Sequence, residues 1–299
     1  MAYRTEGFAA PFELPNYEAY CETCASIGMC LWNHRMNEWK GDAKYADIVE
    51  RSLFNGVLAG INTDGDRFFY VNPLASHGDH HRKEWYGCAC CPSNVCRFIP
   101  SIGSYIYGTS SDAIWVNLFI GSDAEFKVGR KDVKVSLETG YPWDGGAALT
   151  IGSAYSGKVK MRIPGWCKSF SVSLNGTETK DFAIDCGYAV IDRKWKAGDV
   201  MSINLDMPVE VIAADPRVKA DEGLRAIQRG PLVYCAEQID NMEAFDGISI
   251  SEGMEWNVVE SPLMGGIRCL DSGDIRLIPY YSWDNRDACE MKVWLPYSE

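Results

Sequence analysis

Two textures of hydrophobic patterning divide the chain near residue 110. Upstream, "NYEAYCETCASIGMCLWNHRMNEWKGD" (16–42) and "AKYADIVERSLFNGVLAGI" (43–61) carry apolar residues at three- and four-residue spacing and are joined by a short Gly-Asp link, which predicts an antiparallel helix pair. "DRFFYVNP" (66–73) reads as an extended excursion. "PSNVCRFIPSIGSYIYG" (92–108) opens on Pro92 as a helix does and is shortened or kinked at Pro100.

Downstream the period changes to two. "AIWVNLFIG", "DVKVSLETG", "KVKMRIPGW", "SFSVSLNGT", "YAVIDRKW" and "VMSINLDMPVEVI" alternate or cluster β-branched residues between Gly, Asp and Asn turns, the spacing of a β-sandwich. "AIQRGPLVYCAEQ", "GIRCLD", "IRLIPYYSWD" and "CEMKVWLPY" predict a second β-rich unit. Three helices do not close a helical domain. Apolar residues such as Leu31, Trp32, Leu53, Phe54 and Val57 then form an exposed helical face, open to self-association, and the N-terminal region reads as the end of a larger helical array with an upstream part missing.

Composition narrows the partners. The 299 residues are 46% hydrophobic and carry a net charge of −12, which supplies neither the phosphate-neutralising surface of a nucleic-acid binder nor a polybasic membrane anchor. No run of eighteen apolar residues occurs, and "MAYRTEGFAAPFELP" lacks a signal-peptide apolar core, so a cytoplasmic location is expected. Twelve cysteines in that setting read as free thiols or metal ligands in preference to a disulfide framework.

The densest sulfur lies in "WYGCACCPSNVCRF" (85–98), with Cys88, Cys90 and Cys91 in four positions. Neighbouring cysteines are poor disulfide partners, which leaves ligation, redox work or burial. A thioredoxin-like role lacks its C-x-x-C beside a βαβ pattern. The "HGDHH" stretch with His77, His80 and His81 is polar and is expected to be a solvated loop. The remaining cysteines, such as Cys30, Cys235 and Cys269, are expected to be packing residues.

The ordered succession "TEGFAAPFELPNYEAYCETCASIG", "RFFYVNPL", "WYGCACCPSN", "RGPLVYCAE" and "IPYYSWDNR" resembles glycoside hydrolase family 127, the β-L-arabinofuranosidases, along nearly the whole chain. The resemblance implies a multidomain α+β protein: the last helices of an (α/α)6 barrel at 1–106, then β-sandwiches at 107–212 and 213–299. It further implies a zinc ion held by Glu22, Cys24, Cys90 and Cys91, with Cys90 as nucleophile. Glu6 would be the acid/base, with Glu13 its rival, and Tyr70 would lie near the sugar. The implied substrate is a β-L-arabinofuranoside oligosaccharide or glycoconjugate, and Cys88 is a possible substitute ligand. A non-catalytic remnant in which zinc staples the helices to the sandwiches is the alternative.

One physical condition attaches to that ligand set. Residues two apart on a regular helix point away from each other, so Glu22 and Cys24 share an ion only if "ETC" is irregular and the helix begins later, with Thr23 as its candidate cap.

Overall fold

A computed structural model describes residues 6–242 and 245–298. The first helix, α1, runs Thr23–Lys40 and not from Asn16, so the condition on "ETC" is met: Glu22 sits in an isolated antiparallel bridge with Val71, one residue before the helix. Thr23 does not cap. Its backbone N–H donates to the Tyr70 carbonyl (3.0 Å) and its buried hydroxyl to the Phe69 carbonyl (2.9 Å), which stitches the helix start to the extended segment 68–71. Gly41, at φ 62°, ends α1 in the left-handed region that a residue without Cβ adopts freely.

The second helix, α2 (Ala43–Ser52), starts beside Asp42, whose carboxylate accepts from the Lys44 N–H at 3.1 Å as an N-cap does. It loosens into a π turn at Leu53–Val57 and a 3-10 turn at Leu58–Gly60. The third, α3 (Cys90–Phe98), carries Pro92 in its first turn, where a missing N–H breaks no helical bond, and Pro100 falls in the 3-10 turn Ile99–Ser101 that shortens it.

The chain divides into two compact units. One comprises Cys30–Glu50 and Ile99–Pro208. Its strands make a five-stranded sheet in the order Ala183–Asp185, Tyr188–Trp195, Tyr155–Arg162, Ala113–Val116, Tyr107–Thr109, and a six-stranded sheet from Ser122–Val128 to Thr177–Glu178. In Lys131–Thr139 the alternation is literal, with Val133, Val135 and Leu137 buried and Asp132 and Lys134 outward. Ile114, Leu149, Ile151, Val159 and Met161 are fully buried in one core cluster, each side chain contributing about 1.5–3 kcal/mol by burial. In the same unit the fully buried Arg162 guanidinium meets Asp47 (2.5 Å) and Glu50 of α2, so a helix and a strand 112 residues apart share one ionic knot.

The other unit comprises Met1–Met29, Arg51–Phe98 and Val209–Glu299. Here ten strands form one connected network, where the sequence suggested a second pair of sheets. Leu232–Glu237 pairs with Leu224–Arg229 and Ile275–Pro279, and its last two residues pair with Met291 and Lys292. Val209–Ala213, read from sequence as the end of the first sandwich at 212, pairs with Leu224–Arg229 in this unit. Ala75–His77, from the helical half of the sequence, adds a strand against Glu290–Lys292.

That network corrects part of the expected helical face. Leu53 (6% exposed) and Val57 (0%) are buried and Phe54 is half-buried, because the π turn is strapped down by Asn55, which donates to the Pro231 carbonyl and accepts from the Val233 N–H. Leu31 (46%) and Trp32 (65%) are exposed as expected. Among the described residues no helix is long and apolar enough to cross a membrane.

Candidate functional site

The extended segment 68–71 is the platform of the site. Its carbonyls and N–H groups are taken up by Thr23, by Lys83 and by Tyr86, whose hydroxyl donates to the Phe68 carbonyl (3.0 Å) and accepts from the Tyr70 N–H (3.2 Å). Close approach of α1 is permitted by two glycines one turn apart: a Cβ on Gly60 would lie 2.5 Å from Thr23 Cγ2, and one on Gly56 2.4 Å from Ser26 Oγ. The start of α1, and with it Glu22 and Cys24, is thereby fixed against the segment that carries Tyr70.

The first turn of α3 delivers Cys90 and Cys91 to the same place. Ligand atoms of Glu22, Cys24, Cys90 and Cys91 all lie within 4.8 Å of one another. Cys90 Sγ and Cys91 Sγ are 3.9 Å apart, Cys91 Sγ donates to Glu22 Oε1 at 3.7 Å, and the Asn94 amide donates to Cys24 Sγ at 3.1 Å. Tetrahedral bonds of about 2.3 Å from zinc to thiolate place sulfurs about 3.8 Å apart, and three soft donors and one hard one gathered at comparable separations could hold a metal ion.

Burial governs the electrostatics of most of the cluster. Burial raises the pKa of Glu22, followed by repulsion from Glu6; burial likewise raises Cys24 and pushes Cys91 far up. Cys90 behaves differently. Its burial also opposes ionisation, but hydrogen bonding with Tyr70, Cys24, Cys91 and Cys88 outweighs that and lowers its pKa. Of the three sulfurs in the cluster, Cys90 is the one whose surroundings favour the thiolate.

Tyr70 joins the metal-competent cluster to a carboxylate. Its hydroxyl lies 3.1 Å from Cys90 Sγ and donates to Glu6 Oε1 at 3.2 Å. Glu13 is engaged elsewhere: its carboxylate accepts from the Ala10 N–H at 3.3 Å and closes a local turn. Cys88 is exposed. The histidines have structural partners, not solvent alone: His80 bonds the Val71 carbonyl (2.9 Å) and stacks on Phe69, and His81 pairs with Asp284 (2.7 Å).

Asn94 and Tyr86 escaped the sequence reading. Asn94 sits four residues after Cys90, on the face of α3 that carries the nucleophilic candidate, a spacing that could have flagged it. Tyr86 lies in an irregular stretch and gave no periodic signal. Arg82 was also missed. It is 3% exposed, donates to the carbonyls of Ala59, Tyr281 and Trp283, and lies over the Phe69 ring (4.3 Å), bracing the platform from behind.

Three family models match in order: the GH127 β-L-arabinofuranosidase catalytic domain over residues 1–104, the GH127 middle domain over 113–207, and the family 127 C-terminal domain over 209–296. The chain belongs to glycoside hydrolase family 127. This GH127 chain is 35% identical to the non-reducing end β-L-arabinofuranosidase of Bifidobacterium longum subsp. longum across 97% of its own length and 51% of that enzyme. A solved GH127 β-arabinofuranosidase superposes with a TM-score of 0.95 at 41% identity, over 99% of this chain and 52% of that one. The GH127 β-L-arabinofuranosidase of Geobacillus stearothermophilus T6 gives 0.93 at 39%, over 99% and 53%. The chain thus spans about half the length of the relatives it matches.

Proposed function

We propose that this chain carries the zinc-thiolate centre of a retaining glycoside hydrolase that releases non-reducing-end β-L-arabinofuranosyl residues. The observation that carries the reading is the meeting of four donor atoms within 4.8 Å, with Tyr70 linking Cys90 to Glu6. Glu22, Cys24, Cys90 and Cys91 would hold the ion. A bound zinc ion would keep the ligating thiols deprotonated near neutral pH and fix their directions.

The chain's own residues then divide the work. Cys90 attacks the anomeric carbon while Glu6 protonates the departing oxygen, giving a glycosyl thioether on Cys90. Glu6 next takes a proton from water, whose oxygen displaces Cys90 and restores the original anomeric configuration. The contacts from Cys90 Sγ to Tyr70 Oη and from Tyr70 Oη to Glu6 Oε1 give the thiol proton a short route to the carboxylate. One such transfer leaves both groups in the state that the first step needs.

We read residues 1–106 as closing helices of an (α/α)6 barrel, with β domains at 107–212 and 213–299 adjusted to a boundary at Val209. Half-length coverage of the relatives supports little hydrolysis by these 299 residues alone, and equally supports the second reading, a zinc-stapled unit without catalysis. The exposed Leu31 and Trp32 support self-association of the isolated chain.

Metal analysis together with arabinose release separates these readings. About one zinc per chain is expected, and in a version extended to the length of the relatives Cys90→Ser should abolish release. Glu6→Gln should be impaired but partly rescued on a leaving group that needs no proton. Zinc with no activity in the extended form favours the staple, and a folded protein that takes up no zinc defeats both.

A further inference from the structure

The segments that carry Glu22 and Tyr70 run side by side beyond the donor cluster. The run 16–22 lies against the run 70–74 through the Glu22–Val71 bridge, through Asn72, which donates to the Cys21 carbonyl (2.9 Å), and through the Leu74 N–H, which donates to the Asn16 carbonyl (2.9 Å). Along this pair opens a cavity of about 340 Å³ whose walls include Tyr17, Glu18, Tyr20, Val71, Asp79 and His80. None of these residues belongs to the donor cluster or to the hydrolytic steps above.

Tyr20 is the wall that the cavity shares with the reactive groups. Its ring meets that of Tyr70 edge-on at 6.3 Å, and its hydroxyl lies in the field of Glu22, Glu6, Cys91 and Cys90 after the effect of burial itself. Tyr17, 41% exposed, is held in place by stacking on His77 (4.6 Å) and by donating to Asp79 at 2.5 Å. The cavity therefore offers pre-oriented aromatic surface next to two carboxylates. Among the residues that line it His80 alone can become cationic, and burial lowers its pKa while its Nε2 faces the Val71 carbonyl.

That chemistry selects its ligand. Aromatic faces take up the C–H faces of a sugar, ionised carboxylates accept from its hydroxyls, and the acidic lining repels uronates and phosphates. The volume is near the lower end of the ~300–1,000 Å³ of small-molecule sites, room for one or two sugar rings. We propose that this cavity is the subsite for the leaving-group side of the substrate, taking the neutral sugar to which the cleaved arabinofuranosyl residue is attached. The assignment rests on the hydrolytic reading above, and it makes Tyr17, Tyr20 and Asp79 specificity determinants for the aglycone.

Binding to the 299-residue chain tests it without hydrolysis. The probes are methyl β-L-arabinofuranoside and a β-L-arabinofuranosyl disaccharide, followed by saturation-transfer NMR and calorimetry. Saturation should reach the second ring of the disaccharide, and Tyr17→Ala and Asp79→Asn should each weaken the disaccharide about tenfold or more while leaving the methyl glycoside within about twofold, tenfold being about 1.4 kcal/mol. Tyr17→Phe, which keeps the ring and loses only the Asp79 contact, should fall between. Equal affinity of the parent for both probes, unchanged disaccharide binding in both variants, or no saturable disaccharide binding at about 50 mM each overturns the subsite. Zinc content of the parent chain separates this from the hydrolytic reading: a chain that binds the second ring but takes up no zinc refutes the metal-thiolate reading and keeps the cavity.

Discussion

Two glutamates with almost no solvent exposure meet opposite company. Glu50 (2% exposed) accepts from the Arg162 guanidinium, from the Tyr141 hydroxyl (2.6 Å) and from Trp166 Nε1 (3.2 Å), so its charge and its lone pairs are answered by the chain itself. Glu22 (7%) faces the Cys91 thiol, with Cys24 and Cys90 close by, groups that when ionised repel it. A buried carboxylate costs several kcal/mol unless it is paired. Glu50 is a finished structural element; Glu22 belongs to a cluster of donors that could hold a metal ion.

The comparison is tested most severely at Glu22 and Cys91. Glu22→Gln keeps the shape and removes the charge, and Cys91→Ser removes a soft donor that is completely buried. Both should weaken zinc by more than the ~10–100-fold that losing an outer partner costs, read by chelator competition. Zinc should also bind more tightly as pH rises, because burial holds Cys24 and Cys91 protonated and each must release its proton to ligate. A pH-independent affinity would show that these thiols are not ligands.

Arg162→Met attacks the other glutamate. It strands Glu50 and Asp47 without their cation and should cost about 3–5 kcal/mol, visible as a lowered urea midpoint. Zinc content under native conditions should not change. Loss of zinc in this variant would mean that the two carboxylates are not as separate in role as their surroundings imply.

How much of this was open to a reader of the sequence follows from range. Period-two strands such as Lys131–Thr139 and the helical spacing of α1 and α2 are local signals and were legible. The irregular start of α1 was legible too, since two ligands two residues apart cannot share an ion from a regular helix. Burial of Leu53 and Val57 was not, because Asn55 is held by Pro231 and Val233, about 180 residues away in sequence. The pairing of Val209–Ala213 with Leu224–Arg229, and of Arg162 with Glu50, are likewise choices among distant partners that no periodicity encodes. In the site the donor types were legible and their support was not: nothing in "WYG" announced that Tyr86 would hold the Tyr70 backbone.

A smaller effect is expected at Asn94, which donates to Cys24 Sγ and accepts from Arg97. A single N–H···S bond orients a ligand without supplying one. Asn94→Ala should weaken zinc about 10-fold, the lower end for outer partners, with cobalt substitution showing a shifted thiolate charge-transfer band. Unchanged affinity and spectrum would reduce Asn94 to a surface contact of α3.

Asp284 stands between the two glutamates and carries the smallest effect. Its nearly buried carboxylate accepts from the Arg82 N–H (2.8 Å) and meets His81 Nδ1 (2.7 Å), so part of its compensation depends on pH. The hydrogen bond to Asp284 raises the His81 pKa above its ordinary 6.5. A raised histidine contributes stability fully below about pH 6.5, the unfolded value, and loses it as pH climbs through the higher folded value. His81 is 43% exposed on its side chain, so solvent screening holds the contribution within the ~0–1 kcal/mol of a surface pair. In His81→Gln the fall in urea midpoint from pH 6 to pH 8 should become shallower, with Asp284 still anchored by Arg82. A slope identical to that of the parent would assign the stability of this corner to Arg82 alone and place Asp284 beside Glu50, as a carboxylate whose charge is answered permanently.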